Sequence, residues 1–152
     1  MTTVAHERLT HAQLVERAGR WLRNTRGLGV VLTERVSSAP ETPDAIGWKY
    51  AGRYSELVEC KASRADFLAD AGKWFRKRAV HGMGRLRWYM AMPAVIAPDE
   101  LPSRWGLVEV RGSRCCVVVK AQEREAHEYA CRYEIGVMFS ELYRLQVQGD
   151  TP

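Results

Sequence analysis

The chain has 152 residues, 46% of them apolar and 27% charged, with a net charge of +5. That length and balance suit one compact domain with a single sizeable core, and exclude a disordered chain. Pro93 and Pro98 interrupt the longest uncharged stretch, so no membrane span is expected. Residues 1–10 carry Glu7 and Arg8 and lack an apolar signal core, which points to a cytoplasmic protein. The four cysteines show neither a C-x-x-C pair nor a zinc spacing, and are read as reduced thiols serving as small hydrophobes.

In chain order, Thr10 to Gln13 forms a capping box that opens a helix to about Thr25, with Leu14, Ala18, Trp21 and Leu22 on one face and Glu16 on the other. A strand is predicted over Gly29–Val36, carrying Glu34 on the side of Val30 and Leu32. A turn-rich loop over Ser37–Pro43 follows. Two strands, Asp44–Tyr50 and Glu56–Ala62, are joined by a tight turn at Ala51–Arg53. Ser63 to Asp66 is a second capping box, opening a helix to about Val80 with Phe67, Ala71, Trp74 and Phe75 at helical spacing. Further strands are expected at Leu86–Met92, Trp105–Val110 and Cys115–Lys120. Residues 121–136 are polar without a clear period, and a closing helix is expected over Gly136–Gln146.

Charge is segregated. Residues 71–98 contain no acidic side chain but include Lys73, Arg76, Lys77, Arg78, Arg85 and Arg87, a pattern that suits a phosphate-facing surface. Trp74 fits the core better than a base-stacking position, given its spacing from Phe67.

The most informative pattern is Pro43-Asp44 followed, after fourteen residues, by Glu59-Cys60-Lys61. Alternation along a strand puts Glu59 and Lys61 on one face and Val58 and Cys60 on the other. Asp44 on the neighbouring strand can bring a second carboxylate close enough to share a divalent cation. The plain alternative is a turn aspartate and a solvated Glu-x-Lys face. Position favours chemistry, because the pattern falls on the second and third strands with a helix immediately after.

That placement resembles the PD-(D/E)XK nuclease superfamily, whose α/β restriction-endonuclease-like core runs α-β-β-β-α-β around a mixed central sheet flanked by helices. More narrowly, Val58-Glu59-Cys60-Lys61-Ala62-Ser63, then Asp66-Phe67-Leu68-Ala69-Asp70 and Lys73-Trp74, resembles the small MmcB-like DNA-repair proteins. The similarity extends to Trp88–Ala91 and Pro102–Val108, within residues 28–120. Cys60 replaces the usual aliphatic residue, Ala71-Gly72 precede Lys73-Trp74, and Glu41-Thr42 stand where relatives carry basic residues.

The resemblance implies a single domain over residues 1–152, with the core at about 10–120 and an extension at 121–152. It implies Mg²⁺ (or Mn²⁺) held by Asp44, Glu59 and the carbonyl of Cys60, with Glu34 either a further ligand or a carboxylate at the rim. Asp44, Glu59 and Lys61 would be catalytic, Lys61 orienting or deprotonating the attacking water. Arg64, Lys73, Arg76, Lys77, Arg85 and Arg87 would contact nucleic acid. Asp66 is assigned to the helix cap, and Asp70 to a pair with Lys73 or Arg64.

The expected function is metal-dependent endonucleolytic hydrolysis of DNA phosphodiesters, with a catalytically silent DNA-repair accessory protein of the same fold as the alternative. Duplex, single-stranded and branched DNA all remain open, as do a homodimer and a repair or phage complex. Nothing in the sequence marks a dimer face.

Overall fold

The computed structural model describes residues 7–34, 41–73, 82–125 and 127–149. Its centre is a six-stranded mixed sheet in the order β1 (Val30–Thr33), β2 (Ala45–Lys49), β3 (Tyr54–Lys61), β4 (Leu86–Ala91), β5 (Gly106–Arg111), β6 (Arg114–Val119). The β1–β2, β2–β3 and β5–β6 pairs are antiparallel, whereas β3–β4 and β4–β5 are parallel. Among the described residues three α-helices flank it: α1 (His11–Asn24), α2 (Arg64–Ala71) and α3 (Glu128–Gly149). Among the described residues no helix is long and apolar enough to cross a membrane.

Alternation on the central strands builds two cores, one on each side of the sheet. Leu14, Ala18, Trp21 and Leu22 of α1 pack with Val58, Cys60, Trp88 and Met90 on one side. Leu57, Tyr89 and Leu107 face the other side, where Phe67 of α2 and Val137 of α3 close over them. β3 is therefore covered on both faces, and each of its residues from Ser55 to Lys61 is buried.

α1 begins as its capping box predicts: Gln13 N–H donates to Thr10 Oγ1, and the Gln13 side chain accepts from Thr10 N–H at 2.8 Å. At α2, Asp66 N–H donates to Ser63 Oγ, while the described helix ends at Ala71 with Gly72 as its cap. The predicted continuation to Val80, with Trp74 and Phe75, lies outside the described residues.

Two expectations are corrected. β1 ends at Thr33 and Glu34 leaves strand geometry with φ of 49°, while Arg35 and Val36 lie outside the described residues. The Glu34 N–H still donates to the Asp44 carbonyl in the register of the β1–β2 pair, and the left-handed backbone at Glu34 is what ends the strand. The closing helix begins at Glu128, eight residues earlier than Gly136. Its first turns are held by Glu134, a polar residue on the buried face that accepts from Trp48 Nε1 at 2.9 Å. The polar stretch before Gly136 therefore packs against the body instead of trailing from it.

Candidate metal and phosphate-binding site

Asp44 stands immediately before β2, and the β2–β3 register, with Ala45 opposite Val58, brings it alongside the end of β3. Its Oδ2 accepts the Cys60 N–H at 2.7 Å, which fixes the carboxylate against the strand carrying Glu59 and Lys61. Burial pushes the Asp44 carboxyl above its ordinary range, opposed by the Cys60 N–H and by His11. Its other oxygen, Oδ1, lies 3.3 Å from His11 Nε2, which is also 3.3 Å from Glu34.

Glu59 and Lys61 project to the α2 side of β3, opposite Val58 and Cys60, as alternation predicts. Both are buried, and Lys61 Nζ is 3.7 Å from Glu59 Oε2. The same ammonium lies 3.3 Å from Asp70 Oδ1. Asp70, on α2, is fully buried; it accepts from the Tyr89 hydroxyl at 2.5 Å and meets Lys73 at 3.1 Å. Two charged groups on a buried strand face are costly unless partnered. Here a carboxylate on each side of Lys61 offsets that cost and fixes where the ammonium points.

These residues line one open cleft of about 420 Å³, bounded by His11, Asp44, Glu59, Cys60, Lys61 and Asp70. Ligand atoms of His11, Glu34 and Asp44 lie within 4.8 Å of one another, a spacing from which a single cation could be held. Oxygen donors suit a hard divalent ion such as Mg²⁺, and an imidazole nitrogen beside them also suits Mn²⁺.

The predicted basic residues divide. Lys73 borders this cleft and is exposed. Arg64 borders an adjoining groove with Arg8, Ser63 and Val95, and forms a two-point ion pair with Glu100. That pair holds the Glu100 carboxyl down at about 2. Arg85 and Arg87 lie at the other end of the sheet. Glu56 pairs with Leu86 and Lys61 with Ala91, so Arg85 stands roughly 20 Å along the strands from Lys61 at the usual rise. Arg85 there meets Glu123, while Arg87 is buried with its guanidinium 4.9 Å from the Trp105 ring centroid. Arg76 and Lys77 lie outside the described residues.

Sequence reasoning missed His11 and the tie between Asp70 and Lys61. Asp70 had a usable signal: it falls three residues after Phe67, on the buried face of α2, where a lone carboxylate requires a partner. His11 had none, since its approach to Asp44 depends on how α1 crosses β2 and β3.

The chain matches no family model and no curated protein. Among solved structures it is similar to SPO1766, a protein of unknown function from Silicibacter pomeroyi. The two are 25% identical over 93% of each chain, with a TM-score of 0.67.

Proposed function

We propose that the chain is a Mg²⁺-dependent deoxyribonuclease with a restriction-endonuclease-like core and a PD-(D/E)XK centre. The observation that carries this reading is the meeting of Asp44, Glu59 and Lys61, distant in sequence, in one cleft at the end of β3. The order of α1, three antiparallel strands, α2 and a parallel β4 among the described residues supports the same reading.

Asp44 and Glu34, with His11, offer ligand atoms within 4.8 Å of one another, and Glu59 and the Cys60 carbonyl, on the border of the same cleft, would complete the hold on the cation. Bound there, the ion would act as a Lewis acid on a phosphoryl oxygen and lower the pKa of a coordinated water. Lys61 sits beside this position, with its ammonium fixed by Glu59 and Asp70. It orients the attacking water and offsets charge developing on the scissile phosphate. Lys73, exposed at the cleft border, and Arg64, in the adjoining groove, meet flanking phosphates of the DNA.

The test is incubation with supercoiled, linear, single-stranded and branched DNA, with Mg²⁺, with Mn²⁺ and with EDTA. Cation-dependent cutting of at least one substrate is expected. Metal-independent binding without cutting of any of them would instead assign the silent accessory role.

A further inference from the structure

α3 carries two apolar faces. Ala130 and Val137, flanking Glu134, press against the body. Nearly opposite them around the helix, at alternating spacings of four and three, lie Ile135, Phe139 and Leu142, with Tyr143 adjacent. These four are 62%, 66%, 66% and 60% exposed, and the Phe139 and Tyr143 rings already stack with centroids 6.3 Å apart. A helix that is apolar on opposite sides is built to be covered on both.

We infer that this outer face is one half of a two-fold interface, and that α3 packs antiparallel against α3 of a second copy, with Phe139 near the axis. Three features select a second copy. The pattern is close to symmetric about Phe139: Ile135 lies four residues before it, and Leu142 and Tyr143 lie three and four after. Two antiparallel copies therefore bring each Ile135 onto the other's Leu142 and Tyr143, as a self-complementary contact requires.

Charge also permits it. The chain carries +5, yet this face is neutral. Glu128 and Arg132 pair with each other at its start and Gln146 closes it, while the Glu141–Arg144 pair falls on the body side of the helix.

Area is the third feature. From typical side-chain surfaces, the four residues offer roughly 550 Å² per chain, and about 700 Å² with the flanking part of the helix, close to the ~800 Å² per partner of a standard interface. Aromatic anchors at the centre and polar residues at the ends match how such interfaces are built.

Sedimentation velocity of the full chain across micromolar concentrations tests this. A species of twice 17.3 kDa is expected. Phe139→Glu should return it to the monomer mass with the far-ultraviolet circular dichroism retained, and Leu142→Glu does the same duty should that variant fail to fold. Tyr50→Glu, at a 67% exposed aromatic elsewhere on the surface, should remain dimeric. A wild type that is monomeric at every concentration overturns the inference and leaves another segment of the chain or an unrelated partner as the cover. So does a dimer that both α3 substitutions leave intact.

Discussion

β3 buries a charged group on each of its faces, and the two should respond oppositely to mutation. On the α1 face, fully buried Glu56 accepts from Arg26 Nε at 2.9 Å and Nη2 at 3.0 Å, from Trp88 Nε1 at 2.9 Å and from the Tyr54 hydroxyl at 2.9 Å. The guanidinium lies 5.7 Å and 5.3 Å from the Trp21 and Trp88 ring centroids. Arg26→Met removes the cation and leaves a buried carboxylate with two neutral donors.

Breaking a buried pair from one side costs about 3–5 kcal/mol. Arg26 keeps 30% of its side chain in solvent and the two neutral donors persist, which places the pair term near the lower bound. Loss of the cation–ring contacts adds about 0.5–1 kcal/mol. The expected destabilisation is therefore about 3–4 kcal/mol, or about 10 °C in Tm for a domain of this size. Urea unfolding followed by tryptophan fluorescence measures it, and with an m-value of about 2 kcal/mol/M the midpoint should fall by about 1.5–2 M. Glu59→Gln on the opposite face should cost less than about 1 kcal/mol, because Lys61 retains Asp70, while DNA cutting disappears. A loss below about 1 kcal/mol for Arg26→Met would refute the assignment of Glu56 as the structural charge of β3.

Other outcomes follow from the same contacts. Asp44→Asn keeps an acceptor for the Cys60 N–H but lacks the charge that burial disfavours. The fold should be as stable as wild type or more so, while Mn²⁺ binding, followed by electron paramagnetic resonance, is lost. Burial, assisted by Glu56, pushes the Tyr54 phenol up to about 12. The folded chain thus holds this proton after the unfolded chain has released it, and stability should fall as pH rises from about 10 through 12. Tyr54→Phe should flatten that limb. Glu134 is likewise raised by burial, so its contribution declines as pH rises from its ordinary 4.5 through its folded value. Denaturation of Glu134→Gln, which retains an acceptor for Trp48, should show a shallower decline over that window, whereas Glu134→Ala should lose about 1–3 kcal/mol at pH 7.

What was legible in the sequence follows the range of the forces involved. The Thr10 cap, the alternation of Glu59 and Lys61 against Val58 and Cys60, and the turn before β3 are set within a few residues, and each formed as its pattern indicates. Glu34 ends β1 through a left-handed φ of 49° while its N–H still meets the Asp44 carbonyl, and alternating periodicity does not register that change of backbone. The start of α3 was hidden as well: Glu134 breaks the apolar stripe, and its partner Trp48 is 86 residues away. Arg85 and Arg87 share a basic stretch with Lys73, but the β3–α2–β4 crossover carries them to the far end of the sheet. Local sequence thus picked out Asp44, Glu59 and Lys61, which border one cleft, while tertiary pairing decided which other charges reach it.

If Asp44 and Lys61 serve one phosphodiester-cleaving centre, single-turnover cleavage of labelled DNA at saturating enzyme separates their part in cutting from any part in binding. Wild type, Asp44→Ala and Lys61→Ala would be compared in Mg²⁺, with binding of the same DNA measured in parallel. Both variants should still bind and lose cutting by at least about 10²-fold, the usual cost of removing one group that stabilises developing charge. Cutting at the wild-type rate by either variant would contradict a shared centre.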